Sequence, residues 1–280
     1  MTYNLKCILI LAVCFTVIIV TPAAADTLAN YFNTGTPTGT FNQSIDYTGN
    51  GAVFTDGNLE FTFLSLTIQP VCMDGSNQVA CATGSYHPVS AAALSVVGTS
   101  GINGFDGFDL TGQESVSSYA ATNGDQIDVQ EDITLNYAVS TMSGAATITD
   151  AHLDVGACVK DLAIQTTCLT SGGELPPNME VSENWSANGV ELSNNQLDVH
   201  APPPVLDAST SFLPNAYSSL IATKDIMMET GACAGCSVSF SDLKQYYSQQ
   251  VVPEPRTYAW LLALGMLGLV QLRRRSVVSA

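Results

Sequence analysis

Short runs in which apolar and polar residues alternate are the feature that most constrains the fold. The alternation is strict at 59–63 and 133–137, and no stretch between residues 26 and 250 shows a long helical period. A period of two places apolar side chains on one face of a β-strand. Dipeptides typical of tight turns separate the runs: Asn50-Gly51, Asp56-Gly57, Asp74-Gly75, Asn123-Gly124, Gly172-Gly173 and Asn188-Gly189. The sequence therefore predicts an all-β protein, an antiparallel β-sandwich of jelly-roll-like or Ig-like form.

The last part of this region is predicted as a hairpin followed by a tether. Residues 220–228 fit either a helix or a strand. The runs 223–226 and 237–240 flank a Gly-rich turn, which indicates a hairpin. The polar run that follows, to Gln250, is predicted as an extended tether between the folded domain and the end of the chain.

The N-terminus has the layout of a secretory signal peptide over residues 1–25. Lys6 precedes an apolar run, Cys7 to Val20, and Thr21-Pro22 ends that run. Small residues follow at Ala23 and Ala25, where a signal peptidase reads the chain after Sec-dependent export. The alternative is an uncleaved anchor, but 14 apolar residues fall short of the roughly 20 that a membrane-spanning helix needs.

The C-terminus combines three features in a fixed order. Val252, Pro253, Glu254 and Pro255 come first; then an apolar stretch, 257–272; then Arg273, Arg274 and Arg275. Two prolines one residue apart hold the chain extended, as a protease cleft requires. The apolar stretch is predicted as a single transmembrane helix. The arginines are predicted to stay on the cytoplasmic side and stop further transfer.

This tail, residues 251–280, resembles the PEP-CTERM sorting signal of Gram-negative bacteria. The resemblance implies recognition by exosortase, a membrane-embedded cysteine transpeptidase-like enzyme. It also implies export across the inner membrane, transient membrane anchoring, and delivery to the cell surface or to an exopolysaccharide or biofilm matrix. A plain C-terminal membrane anchor is the alternative.

The region between the two ends, residues 26–250, is predicted as one strongly acidic ectodomain. It holds only three basic residues, Lys160, Lys224 and Lys244, against 24 of the 25 acids, for a formal charge of −21. Such a surface repels nucleic acid and anionic lipid. Nucleic acid is therefore not an expected partner, whereas a divalent or other cationic partner fits.

The cysteines of this region fall into three close pairs. After removal of the signal peptide, an even number in an exported chain indicates disulfides. Redox activity or zinc binding at Cys233-Ala234-Gly235-Cys236 is the alternative. The predicted disulfides join neighbouring cysteines: Cys72–Cys81, Cys158–Cys168 and Cys233–Cys236.

The sequence contains only weak candidates for a catalytic or binding site. His87, His152 and His200 lack metal-binding spacing, although Asp150, His152 and Asp154 would share one strand face. Trp185 is predicted either in the core or stacked on a sugar ring. A weak calcium hypothesis falls on one acidic run. Its candidate ligands are Asp125, Asp128, Glu131 and Asp132.

The sequence therefore predicts an exported protein that is not an enzyme, has no cofactor and is held in a surface or extracellular matrix, with exopolysaccharide as a further partner. The alternatives are a secreted carbohydrate-active hydrolase, whose two carboxylates leave no sequence signature, and a calcium- or carbohydrate-binding module.

Overall fold

The computed structural model describes residues 25–38, 44–81, 90–99, 105–121, 124–142, 146–160, 177–192, 196–201, 207–251 and 266. Within these residues the chain forms one short 3-10 helix, Leu28–Tyr31, and seventeen strands. The strands are β1 (Asp26–Thr27), β2 (Thr36–Thr38), β3 (Ser44–Thr48), β4 (Val53–Asp56), β5 (Leu59–Asp74), β6 (Asn77–Val79), β7 (Ser95–Gly98), β8 (Asp106–Ser117), β9 (Tyr119–Ala120), β10 (Gln126–Thr141), β11 (Ala146–Lys160), β12 (Asn178–Ala187), β13 (Val190–Glu191), β14 (Leu197–Ala201), β15 (Asp207–Ser211), β16 (Ser219–Glu229) and β17 (Ser237–Val251).

The strands form two antiparallel sheets. The smaller sheet has the order β1-β7-β8-β17-β11-β15, and the larger has the order β13-β12-β16-β10-β5-β3-β2. Four further strands extend the larger sheet, because β14 pairs with β12, β4 and β6 pair with β5, and β9 pairs with β10. The predicted antiparallel all-β architecture is confirmed, whereas its jelly-roll-like or Ig-like form stays a prediction.

The two sheets pack face to face around an aromatic core. Along β10 every second side chain from Ile127 to Val139 is buried, as the alternating sequence predicts. The Phe108 ring on the smaller sheet contacts rings of Phe61 and Tyr137 on the larger sheet, with centroids 5.2 and 5.1 Å apart in edge-to-face geometry. Edge-to-face pairs stabilise such contacts beyond the area that they bury.

The sheets decide three predictions for the late part of the chain. The predicted hairpin of runs 223–226 and 237–240 is wrong, because β16 lies in the larger sheet and β17 in the smaller sheet. Residues 220–228, which fit helix or strand, lie in strand β16 and bury alternate side chains. The predicted tether to Gln250 is wrong, because β17 continues through Val251. Leu243 and Tyr247 are fully buried, but the residue between them on the inward face is the polar Gln245, which interrupts the apolar alternation in the sequence.

The folded sheets begin close to the predicted cleavage position. Ala25 is exposed, and the next residues, Asp26–Thr27, already pair with β7. Ala23, Val252 to Pro255 and Arg273 to Arg275 lie outside the described residues, as does the predicted tail helix except Met266. The division into segments 1–25, 26–250 and 251–280 stays a prediction. Within the described part of the chain, no helix is both long and apolar enough to cross a bilayer.

Candidate functional site

The last strand leads directly into the segment predicted as the sorting motif. β17 lies between β8 and β11 in the smaller sheet, so it is an interior strand. Its last residue, Val251, pairs with Ala146 of β11. The predicted motif begins at the next residue, Val252. The folded domain therefore holds the chain in a sheet up to the start of the motif.

A buried ion pair lies between the sheets. Glu183 on β12 and Lys224 on β16 are directly opposite each other in the strand register. Both occupy inward positions of their alternating strands, and both side chains are 0% exposed. Lys224 Nζ donates to Glu183 Oε2 at 2.9 Å. A buried pair of this kind needs further hydrogen bonds to offset the loss of hydration.

Three other core residues, Gln245, Tyr137 and Tyr247, take part in these further hydrogen bonds. Gln245 and Tyr247 lie on β17, so the bonds link the two sheets. Lys224 Nζ also donates to Gln245 Oε1 on β17, at 2.8 Å. The Tyr137 hydroxyl donates to Glu183 Oε1 and lies 2.7 Å from the Tyr247 hydroxyl. These residues and Trp185, which also contacts Tyr247, are called the buried polar network below.

Burial shifts the pKa values in this network. Loss of hydration raises the pKa of Glu183 and lowers the pKa of Lys224, while attraction between the two groups opposes both shifts. Burial, and then the charge of Glu183, raises the pKa of Tyr137 and of Tyr247 well above the ordinary value. The two hydroxyls therefore stay protonated and serve as hydrogen-bond donors.

One polar atom of the network remains without a partner. Gln245 Nε2 is buried and has no hydrogen-bond partner among the described residues. Leaving such a donor unsatisfied costs about 1–3 kcal/mol. The buried polar network was not predicted from the sequence, although the sequence contains a signal for it. Glu183, Lys224 and Gln245 each stand at an inward position between apolar residues of an alternating run.

The structure does not bring the four calcium candidates together. Glu131 is fully buried on the inward face of β10, whereas Asp128 and Asp132 lie on its outward face. Asp125 is exposed before the strand begins. Strand alternation is the reason, because neighbouring residues point to opposite faces. Within the described part of the chain, no three His, Cys, Asp or Glu side chains are grouped so that they could hold a metal ion.

Asp132 and Asp225 form a carboxyl pair on the outward face of the larger sheet. Burial, a hydrogen bond to Asp225 and the charge of Asp225 raise the pKa of Asp132 to about 7. Thr134 Oγ1 also donates to Asp225, at 3.4 Å.

The histidines do not form a nucleophile-activating arrangement in the described residues. His152 Nε2 lies 3.0 Å from Asp150 Oδ1, and the imidazole ring packs on Phe105 at 4.8 Å. Ser209 is opposite His152 in the strand register, but no hydrogen bond between them is present in this part of the chain. Asp154 lies near Lys244 instead. His200 is exposed on β14, and His87 lies outside the described residues.

The structure contains two of the predicted disulfides. Cys72 bonds to Cys81 and closes the β5–β6 hairpin, and Cys233 bonds to Cys236 in the turn between β16 and β17. Cys158 is also disulfide-bonded, while its predicted partner, Cys168, lies outside the described residues. The Cys233–Cys236 pair lies in the connection between β16 of the larger sheet and β17 of the smaller sheet, and not at the helix N-terminus that activates redox thiols.

Trp185 lies in the core, so the hypothesis of a sugar-stacking Trp185 is wrong. The side chain is 1% exposed and packs edge-to-face on Phe212. Its indole Nε1 donates to the Tyr247 hydroxyl at 3.3 Å. Its polar neighbours in the sequence are the outward residues of strand β12.

Comparison with known protein families finds a match at the C-terminal end of the chain. The family model described as the PEP-CTERM protein-sorting motif matches residues 251–275. No curated protein matches the chain. The matched residues start at the end of β17 and include the Pro-Glu-Pro segment and the Arg cluster. The motif implies an exported protein with membrane-associated sorting by exosortase. The chain is therefore a protein that carries the PEP-CTERM protein-sorting motif.

Proposed function

We propose that the chain is a non-enzymatic surface or extracellular-matrix protein that is sorted at its Pro-Glu-Pro segment and associates with exopolysaccharide. The observation that carries this proposal is the PEP-CTERM motif, residues 251–275, which begins at the last residue of the final strand. Its placement leaves the preceding β-sheets complete when the tail is cut. A folded ectodomain can thus be released or transferred at the motif without loss of its own structure.

The character of the ectodomain supports a place outside the cell. Disulfides join cysteines in the β5–β6 hairpin and in the connection between β16 and β17, and such bonds form and persist in oxidising compartments. The formal charge of −21 between residues 26 and 250 keeps the protein soluble and repels other anionic polymers. A charged polysaccharide would therefore need bridging cations, whereas a neutral polysaccharide would need hydrogen-bonding groups.

A row of such groups lies on the outward face of the larger sheet. Asn136 on β10 donates to Ser65 Oγ at 2.9 Å and accepts from Thr223 Oγ1 at 2.7 Å. The amide and hydroxyls lie on neighbouring strands β5, β10 and β16, so they form a continuous polar surface. We propose this surface as the contact with polysaccharide hydroxyl groups.

The first test is the mass of the mature protein from its native host, with and without reductant. We expect a species that starts at Asp26 and ends between Val252 and Pro255. Reduction should add the hydrogens of three disulfides. A mature species that retains Arg273 to Arg275 would contradict sorting, and a host without exosortase provides the control in which the tail must remain.

The second test concerns the destination. Cells that make exopolysaccharide should hold the protein in the extracellular matrix fraction, and cells unable to make it should release the protein into the medium. An Asn136→Ala variant should bind purified host polysaccharide more weakly, while Asp198→Asn on the exposed edge of β14 serves as control. Equal fractionation in both strains would overturn the proposed association.

The absence of enzymatic activity is tested separately. Purified protein incubated with host polysaccharide should release no new reducing ends or unsaturated sugars. If release occurs and disappears in an Asp132→Asn variant, the carbohydrate-active alternative replaces the proposal. Release that persists in this variant would place the activity at another site and would equally contradict a non-enzymatic role.

A further inference from the structure

The buried polar network holds an amine, a carboxamide and a carboxyl group in mutual contact. Lys224 Nζ lies 2.8 Å from Gln245 Oε1 and 2.9 Å from Glu183 Oε2. Because the lysine has only donors, the contact places the carbonyl end of the amide, and not its nitrogen, against the amine. The Gln245 Cδ carbon is bonded to that carbonyl oxygen, so the amine and its electrophile are already neighbours.

From this arrangement we propose that Lys224 and Gln245 form an intramolecular isopeptide bond between Nζ and Cδ, with release of ammonia and with Glu183 as the proton carrier. The proposal stands apart from the sorting function, since it concerns the folded sheets alone. It is a self-modification of the chain and needs no cofactor, oxidant or second protein.

The environment favours the nucleophilic form of the lysine. An ammonium group has no lone pair, so the amine must lose a proton before it attacks. Burial lowers the pKa of Lys224 and raises the pKa of Glu183, and both shifts favour proton transfer from the amine to the carboxylate. Contact between the two groups gives the proton a direct path, and both are fully shielded from water.

The atoms and protons of the step balance. Glu183 first takes one proton from the Lys224 ammonium group. The neutral Nζ then attacks Cδ of Gln245, and the carbonyl bond opens to a tetrahedral intermediate. Glu183 gives its proton to the departing amide nitrogen and receives the second proton from Nζ. The bond between Cδ and Nε2 breaks, the new bond between Cδ and Nζ remains, and one ammonia molecule leaves.

The nitrogen that leaves, Gln245 Nε2, is the same atom that lacks a hydrogen-bond partner in the described part of the chain. Gln245 Nε2 is buried without a hydrogen-bond partner among the described residues. Its departure as ammonia therefore breaks no hydrogen bond in this part of the chain and removes an unsatisfied donor from the core. Fixed proximity of the reacting groups lowers the barrier, because the entropy of bringing them together is already lost on folding. Exclusion of water keeps hydrolysis of the amide from competing.

The surrounding residues hold Glu183 in position for this role. The Tyr137 hydroxyl donates to Glu183 Oε1, which leaves Oε2 for Lys224. The Tyr137 hydroxyl is in turn in contact with the Tyr247 hydroxyl at 2.7 Å. Tyr137 and Tyr247 are thus positioning residues. Within the described part of the chain, neither hydroxyl forms a hydrogen bond with the Gln245 amide. The product would join β16 of one sheet to β17 of the other.

Peptide mapping of the folded, purified full-length chain tests the proposal. Trypsin cuts after lysine, so an unmodified chain yields 161–224, 225–244 and a peptide that begins at Gln245. Cross-linking protects Lys224 from trypsin. After reduction of the disulfides, we then expect one branched species in which 161–244 is joined to the peptide that begins at Gln245. Lys160 and Lys244 are internal controls and should be cleaved normally.

The covalent link between the peptides is the readout, because an N-terminal glutamine also loses ammonia when it cyclises on its own. Recovery of separate peptides from folded wild-type protein would overturn the proposal. In Glu183→Gln the branched species should fall at least tenfold, with separate peptides in its place. A fully cross-linked Glu183→Gln protein would overturn the role of Glu183. The wild-type result decides the bond itself even if this variant does not fold.

Discussion

The hydroxyl group of Tyr247 contacts two other side chains of the core, those of Tyr137 and Trp185. This hydroxyl is 2.7 Å from the Tyr137 hydroxyl and accepts from Trp185 Nε1 at 3.3 Å. Removing it leaves the indole N–H buried and unpaired. A Tyr247→Phe variant should therefore lose about 1–3 kcal/mol in free energy of unfolding, measured by urea denaturation.

Tyr246→Phe is the matched control, because the neighbouring side chain lies on the outward face of the same strand. It should change the free energy of unfolding by about 0.5 kcal/mol or less. Equal losses in the two variants would show that the Tyr247 hydroxyl stabilises the core no more than a surface hydroxyl does.

The raised pKa of Asp132 makes the free energy of unfolding depend on pH in a defined direction. Burial and Asp225 raise its pKa in the folded state from 3.8 to about 7, so the folded chain binds this proton more tightly than the unfolded chain. The free energy of unfolding therefore falls as the pH rises between these two values. Asp132→Asn removes this decline and should gain about 1 kcal/mol at neutral to alkaline pH, after allowance for solvent screening.

Thermal melts of both proteins across the range from about pH 4 to about pH 8 check this prediction. The difference in melting temperature should be small at the acidic end and should grow as the pH rises. A difference that is constant with pH would assign the effect of Asp132→Asn to packing and not to titration. Asp198→Asn is the control, since this carboxylate lies on the exposed edge of β14.

At the level of elements, strands with an unbroken alternating run were predictable, and strands with an interrupted run were not. Residues 59–63 and 133–137 predicted strands correctly because their period is unbroken. The end of β17 was missed, since a register shift near Asp242 and a buried Gln245 break the apolar pattern. The position of Glu183 beside Lys224 depends on the pairing of β12 with β16, which one sequence does not specify.

The two disulfides should stabilise the fold unequally. The entropy removed from the unfolded chain grows with the length of the closed loop. Cys72 and Cys81 are 9 residues apart, whereas Cys233 and Cys236 are 3 apart. Replacing both cysteines of the first pair by Ala should cost about 3 kcal/mol, and replacing both of the second pair about 2 kcal/mol.

Urea denaturation of the two double variants, and of reduced wild-type protein, measures these losses. Reduction of the wild type should cost more than either double variant. A larger loss for the Cys233/Cys236 variant than for the Cys72/Cys81 variant would contradict the loop-length argument. It would instead place the stabilising effect in the packing of buried Cys236.

At the scale of the whole molecule, the sheets end where the sorting motif begins. A chain that stops after Val251 keeps all seventeen strands of the described residues, whereas one that stops after Asp242 lacks the second half of β17 and the side chains of Leu243, Gln245 and Tyr247. The first should melt at the temperature of the full chain, and the second should not fold cooperatively. Circular dichroism melts distinguish them. A cooperative transition in the shorter chain would show that β17 is dispensable.

The interior position of β17 also determines how the folded domain resists a force applied at its C-terminus. Antiparallel neighbours, β8 and β11, flank this strand on both sides along most of its length. Tension applied beyond Val251 acts along the strand, so it loads both rows of hydrogen bonds in shear at the same time. An edge strand pulled from its end would instead open one bond after another. A protein held by its C-terminus in a flowing medium would thus resist the drag through two rows of hydrogen bonds at once.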